Sequence, residues 1–216
     1  MGTRGNTFAT FNGYGYIHET QPFTSVITDN LNLQFMSLHV RRYSDITDII
    51  PIHNTQENFP FDVCDGMLIH VQGIIKTMNV FDPLTQRSHL IMFIEPTIIE
   101  SAEPVSESVK ISDMINECDI SGYVCKPVVS RKTPRGVDIS DVLLAVNYSR
   151  KSTAYIPAII WDKESREYSN SPVGELIHVT GRFQSRTYRK SDDDREYTAY
   201  EISISKVDEV GSNCVN

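Results

Sequence analysis

The sequence predicts an all-β chain of two tandem five-stranded barrels, each with at most a short helix. Three observations predict it. First, an octapeptide recurs. Gly66–Gly73 reads Gly-Met-Leu-Ile-His-Val-Gln-Gly and Gly174–Gly181 reads Gly-Glu-Leu-Ile-His-Val-Thr-Gly, so six of eight positions agree at a separation of 108 residues. Within 216 residues this leaves room for two units of about 100 residues, each able to bury its own core. Second, Leu176, His178, Thr180, Arg182, Gln184 and Arg186 alternate with Ile177, Val179, Gly181, Phe183, Ser185 and Thr187, the period of a strand. Third, no amphipathic helix of real length appears, the only helix-sized insertion being Lys163–Val173, which ends near Pro172.

Taken in order, Phe8–Tyr16 is a Thr- and aromatic-rich strand interrupted at Gly13 and Gly15. Phe35–Val40 and Ile46–Ile52 follow as the second and third strands. His53–Asp65 is a loop, Met67–Asn79 the long fourth strand and Leu90–Ile99 the fifth, with Asp82-Pro83 marking the turn between them. Residues 101–117 lose hydrophobicity and gain charge, as a linker does. The pattern then restarts with Ile120–Val129, broken at Lys126-Pro127, and a turn at Arg131–Gly136. Strands Ile139–Tyr148, Tyr155–Trp161, the long strand from Leu176, a tip at Asp192–Asp194 and Tyr197–Val207 complete the second unit. Gly13-Tyr14 answers Gly122-Tyr123, and Ile50-Pro51 answers Ile156-Pro157. The expected boundaries are 1–100, a linker 101–117, a second unit 118–209 and a short tail 210–216. Such five-stranded units describe the oligonucleotide/oligosaccharide-binding barrel, the OB-fold, although periodicity alone does not separate it from another small barrel.

Charge is unevenly placed. The net charge is −8, yet residues 1–100 carry five Lys and Arg against ten acids whereas 118–207 carry fourteen against twelve. A basic face on the second half is therefore compatible with an acidic protein, the alternative being a solvated mixed-charge surface. Cys64, Cys118, Cys125 and Cys214 form no Cys-x-x-Cys pair and stand near no His cluster, so neither a zinc site nor a disulfide is expected. No apolar run reaches the ~18 to 20 residues needed to cross a bilayer, and the first residues lack the apolar stretch of a secretory signal. No membrane association and a cytoplasmic location are expected. No Ser-His-Asp set, phosphate-cradling Gly loop or paired catalytic carboxylates stands out, so neither catalysis nor a cofactor is expected.

Cations and rings interleave in the second half as they do in binders of single strands. Every base has a π-face that a ring can stack on without reading sequence, and Arg or Lys can hold the phosphates. Tyr188 lies among Arg182, Arg186, Arg189 and Lys190, and the clusters Arg131-Lys132 and Arg150-Lys151 fall in expected turns or loops. Trp161, the only tryptophan, follows Ala158-Ile159-Ile160 and suits either a stacking platform or the core. His70 and His178 occupy matching repeat positions, which points to a structural or interface role rather than metal ligation.

Five blocks, Ile120–Val124, Arg131–Gly136, Leu143–Asn147, Tyr155–Lys163 and Gly181–Tyr188, make residues 118–207 resemble the DNA-binding domain of bacterial single-stranded DNA-binding proteins. Residues 8–100 resemble it more faintly, and the pair is similar to tandem-barrel members of that family. The resemblance implies two OB-folds and sequence-tolerant binding of single-stranded DNA in replication, recombination or repair. It also implies a homo-oligomer, a dimer supplying four barrels. It places stacking aromatics at Tyr155, Trp161 and Tyr188. Another family aromatic is replaced near Arg150, with Tyr148 close by. In the first unit the counterparts of Tyr155, Trp161 and Arg186 are Ile49, Thr55 and Met78, so this unit is expected to be mainly structural. The acidic, aromatic-ended tail by which many members recruit other proteins has only the stub Val207–Asn216 as its counterpart, which leaves recruitment open. An alternative from another class is a non-catalytic assembly protein built from degenerate barrels with little DNA contact. Structured RNA has no positive signal in the sequence.

Overall fold

The computed structural model describes residues 6–19, 33–42, 44–54, 63–82, 86–102, 115–190 and 193–208, excluding the side chains of 82, 87, 190 and 193–196. In the first half the strands are β1 (Phe8–His18), β2 (Gln34–Arg41), β3 (Thr47–Asn54), β4 (Leu68–Asp82) and β5 (Arg87–Ser101). In the second they are β6 (Asn116–Val124), β7 (Val129–Lys132), β8 (Asp138–Ser149), β9 (Ser152–Trp161), β10 (Leu176–Lys190) and β11 (Asp193–Asp208), with helix α1 (Asp162–Tyr168) before β10.

Pairing closes each half on itself. The first runs β1-β2-β3-β5-β4 and back to β1, with β3–β5 parallel through Ile52 and Ile94 and the β1–β2, β2–β3, β4–β5 and β1–β4 pairs antiparallel. The second repeats this as β6-β8-β9-β11-β10 and back to β6, with β9–β11 parallel at Ala158–Ile202 and Ile159–Ser203. β7 is an extra short strand on the edge of β8. This is the OB-fold connectivity, present twice.

Alternation sends the apolar residues inward. In β1 the buried set is Ala9, Phe11, Gly13, Gly15 and Ile17, and in β8 it includes Val142, Leu144 and Val146. Fully burying each Ile, Leu or Phe contributes roughly 1.5–3 kcal/mol. The glycine that ends each octapeptide has a packing reason. A Cβ on Gly73 would lie 2.5 Å from the Glu95 carbonyl oxygen, and one on Gly181 would lie 2.4 Å from that of Ser203. β4 also shifts register against β5 between Gln72 and Gly73. The long strand bends at this point, and no side chain fits between it and its neighbour.

Several expectations shift. Tyr16 pairs with His39 on β2 as Tyr123 pairs with Ala145 on β8, so Gly15-Tyr16, not Gly13-Tyr14, is the counterpart of Gly122-Tyr123. A two-residue slip leaves every side chain on the same face, which is why the sequence pattern does not distinguish the two pairs. Arg131 and Lys132 lie in β7 rather than in a turn; the turn is Thr133–Gly136, where Gly136 adopts φ 82° and donates its N–H to the Thr133 carbonyl. α1 is seven residues long, shorter than the Lys163–Val173 insertion. β5 runs to Ser101 and β6 starts at Asn116, so the expected linker narrows; residues 103–114 lie outside the described residues.

The chain divides into two compact units that are not contiguous in sequence. The C-terminal unit comprises Met1–Ala9, Cys118–Arg182 and Glu201–Asn216; the N-terminal unit comprises Thr10–Glu117 and Phe183–Tyr200. The outer part of the β10–β11 hairpin thus groups with first-half residues, whereas the boundaries read from the sequence assign it to the second half. Among the described residues no helix is long and apolar enough to cross a membrane.

Candidate nucleic-acid interface

In the C-terminal unit, strands β7, β8 and β9 lie side by side, and their register decides which side chains share a face. Val142–Ala158, Leu144–Ile156 and Val146–Ala154 pair across β8 and β9, and all six side chains are buried. The alternate set, Ile139–Trp161, Asp141–Ile159, Leu143–Pro157 and Ala145–Tyr155, lies on the opposite face, where Ile139 and Ile159 are covered and the others are at least partly open, and β7 adds Arg131 beside Ile139 and Val129 beside Asp141. Tyr155 is 45% exposed and Val129 58%. Tyr155 and Trp161 are six residues apart on one strand face, a span of about 20 Å at the usual rise.

Trp161 shares the strand face of Tyr155. Its indole is half-buried on the outer face, and Nε1–H donates to Ser203 Oγ at 3.1 Å. It flanks a groove of about 560 Å³, lined also by Lys163, Arg182, Ser203 and Ser205. A ring tethered at its edge and partly open presents a fixed apolar surface next to a guanidinium, which is what base stacking beside a phosphate requires.

The cations of this unit are partnered in different ways. Arg131 forms a fork with Asp141, Nε at 2.7 Å and Nη2 at 3.0 Å, and this bond holds its guanidinium more firmly protonated despite the opposing effect of burial. Lys132 Nζ lies 2.8 Å from Asp138, whose carboxyl is held below its ordinary range mainly by that hydrogen bond. Arg166 of α1 reaches the same carboxylate at 3.8 Å. Such exposed pairs are worth about 0–1 kcal/mol, so a phosphate can compete for these cations. Together with Ser130, Ser165 and Ser169 they line a second groove of about 550 Å³ between β7–β8 and α1. Arg150 and Lys151 form the exposed β8–β9 turn, where Lys151 N–H donates to Ser149 Oγ. Tyr148 sits where β8 slips register between Asn147 and Ser149; it is half-buried, and burial pushes its phenol well above the ordinary range.

The remaining residues belong to the N-terminal unit. On the outer β10–β11 hairpin, Tyr188 stacks against Tyr197 with centroids 5.7 Å apart and planes at 29°. The Arg186 guanidinium carbon lies 5.8 Å from the Tyr188 centroid, within cation–π range. Arg186, Tyr188 and Arg189 are exposed. Lys190 ends β10, and its side chain lies outside the described residues. The first half differs where the second carries rings. Ile49 pairs with His39 as Tyr155 pairs with Ala145, and Met78 packs on the core cluster of Phe35, Val80, Ile91 and Phe93. Thr55 lies outside the described residues.

The structure thus brings Arg131, Tyr155, Trp161 and Arg182 into one unit and Arg186, Tyr188 and Arg189 into the other. Sequence reasoning missed Val129, Ser203 and Tyr197. Counting across the tip expected at Asp192–Asp194, of which Asp192 lies outside the described residues and Asp193 and Asp194 belong to β11, brings position 197 close to 188, so Tyr197 had a signal; Ser203 had none, because its partner is 42 residues away. The matching histidines are structural in place. His70 stacks on Tyr14 at 4.2 Å and bonds Asn12 and Glu100, while His178 bonds Asp119 and meets Phe8 edge-on. Cys118 is buried, Cys125 half-buried and Cys64 exposed, all three as free thiols, and no cluster among the described residues has the makings of a metal site.

Comparison with known proteins adds four findings. A model of the single-strand binding protein family matches residues 115–210. "Single-stranded DNA-binding protein 1" of Streptococcus pyogenes serotype M18 is 33% identical over 99 residues, covering 43% of this chain and 76% of that protein. A second relative, the single-stranded DNA-binding protein of S. pyogenes serotype M3, is 34% identical over 91 residues, 39% of this chain and 56% of its own length. Among solved structures, the wild-type single-stranded DNA binding protein from Thermus aquaticus matches with a TM-score of 0.64 at 16% identity, over 94% of this chain and 93% of that one. This last likeness bears on the fold and reaches across both barrels.

Proposed function

We propose that this chain, which belongs to the single-strand binding protein family, binds single-stranded DNA with little regard to sequence. The observation that carries the proposal is the outer face of β9, where Tyr155 and Trp161 point away from the core and Arg182 shares Trp161's groove. Bases stack on the two rings, and phosphates are held by Arg182, by the Arg150-Lys151 turn, and by Arg131 and Lys132 once they exchange their carboxylate partners. Arg186, Tyr188, Arg189 and Lys190 on the outer hairpin act in the same way. None of these groups makes or breaks a covalent bond, so the role is binding rather than catalysis. We further assign it to replication, recombination or repair in the cytoplasm, as a dimer that supplies four barrels.

A second reading, an assembly protein with little DNA contact, is favoured by one observation. Arg131 and Lys132 are already paired with Asp141 and Asp138, in a chain of net charge −8. A titration of Trp161 fluorescence with poly-thymidine, poly-adenosine and duplex DNA at several salt concentrations separates the two. Quenching by both single strands, weakened by salt and small with duplex, supports DNA binding. No quenching and no mobility shift at low salt would replace it with the assembly reading.

A further inference from the structure

The N-terminal unit contains a buried ionic latch that no feature of the core requires. Asp48 of β3 is fully buried, and its carboxylate accepts two hydrogen bonds from the Arg42 guanidinium, from Nη2 and, at 2.6 Å, from Nε. The same carboxylate accepts the Ser185 N–H of β10 at 2.9 Å, and Ser185 Oγ in turn accepts the Ile49 N–H at 2.8 Å. Two residues earlier, the Asn116 side chain brackets Phe183, donating to its carbonyl and accepting its N–H, both at 2.8 Å. The Phe183 ring packs edge-on against Phe11 and Tyr200. All of these groups lie in the N-terminal unit.

The second barrel shows what an ordinary core has at this point. Val40 pairs with Asp48 as Val146 pairs with Ala154, so the buried counterpart of Asp48 is an alanine. Burying a carboxylate is unfavourable unless it is fully paired, and a small apolar residue fits the same strand position. The acid at 48 therefore answers to something other than barrel stability. Its additional partner is the strand that carries Arg186 and Tyr188, and Ser185 is the residue directly before them.

We propose that Asp48 is a positioning residue. The first barrel, with Ile49 where the second has Tyr155, contributes to DNA binding by holding the root of the β10–β11 arm, so that Arg186, Tyr188 and Arg189 keep a fixed presentation. Alternation makes this geometry direct. With Ser185 latched inward, Arg186 and Tyr188 project from the opposite face. The inference rests on reading Arg186 and Tyr188 as DNA contacts.

The test uses the full chain and dT oligonucleotides, comparing Ser185→Ala with Ser185→Thr and measuring Arg186→Gln in the wild-type and Ser185→Ala backgrounds. Removing one hydrogen-bond acceptor is expected to weaken binding about fivefold. The salt slope should fall by about 0.7 for each phosphate contact the loosened arm loses, and Ser185→Thr should restore both. Arg186→Gln should weaken binding less in Ser185→Ala than in the wild type, because the arm is already misplaced. Asp48→Asn, which keeps an acceptor for the Ser185 N–H, should bind better than Asp48→Ala. Wild-type affinity and slope in Ser185→Ala, or an equal cost of Arg186→Gln in both backgrounds, would overturn the latch. If Arg186→Gln is silent in the wild type, the reading of the arm as a DNA contact fails and takes the latch with it. Should the variants not fold, hydrogen exchange on the unaltered chain decides: amides 183–189 protected like those of β4 support the latch, and free exchange in the arm beside a protected β4 overturns it.

Discussion

Truncating Tyr155 to alanine tests the stacking surface with the least disturbance to the barrel. The ring is 45% exposed on the outer face of β9, opposite Ala145, while the inward neighbours Ala154 and Ile156 carry the core. Little buried area is lost, so stability should change by about 1 kcal/mol or less, a shift of only a few degrees in Tm. A stacked base contributes about 1–3 kcal/mol, so the dissociation constant for a dT oligonucleotide should rise by roughly 5- to 150-fold. The ring carries no charge and displaces no counterion, so the slope of log affinity against log salt should stay at its wild-type value. Trp161 remains in place as the fluorescent reporter. Wild-type affinity in a folded Tyr155→Ala protein, or a loss of affinity accompanied by a flatter salt slope, would refute the assignment of Tyr155 as a stacking platform.

Three further outcomes are expected. Arg150→Gln with Lys151→Gln should flatten the salt slope by about 1.4, two contacts' worth, and weaken poly-thymidine and poly-adenosine equally, as read by titration at four or more salt concentrations. Asp141→Asn removes the carboxylate that forks Arg131, so affinity should rise and the slope steepen by up to about 0.7; an unchanged slope would mean Arg131 meets no phosphate. The imidazole of His39 is held below its ordinary pKa by burial first and by His18, whose ring centroid is 4.2 Å away, while Asp65 opposes the shift. The unfolded chain therefore binds this proton more readily, and stability should fall as the pH drops below about 6.5 and level off below the folded pKa. Denaturant melts between pH 5 and 8 check the slope, which His39→Gln should reduce, and a one-dimensional NMR titration of His39 locates its midpoint.

Much of the barrel was legible because its signals are local. A period of two assigns each residue of β8 and β9 to a face, so the outward direction of Tyr155 follows from Ala154 and Ile156 being apolar neighbours. The repeated Gly-x-Leu-Ile-His-Val-x-Gly announces two equivalent long strands, and its last glycine marks where each runs too close to its neighbour's backbone to leave room for a side chain. Alternation is blind to a slip of two, and so the sequence pattern matches Gly13-Tyr14 to Gly122-Tyr123 where the pairing with β2 picks out Gly15-Tyr16. Trp161 was ambiguous for a related reason. It closes an apolar run, and only the three-dimensional structure shows its ring half-buried and bonded to Ser203, on the face of β9 that also carries Tyr155.

The sequence by itself determined two five-stranded barrels, the aromatic positions of the second and the absence of equivalent rings in the first. Only the tertiary structure decided that Arg131 is forked by Asp141, that Tyr188 stacks on Tyr197, and that the β10–β11 arm is held through Ser185 by an aspartate 137 positions earlier. Strand propensity and facing are set by neighbours along the chain. A charge or a ring finds its partner across strands, where distance in sequence carries no signal and geometry alone brings the groups together.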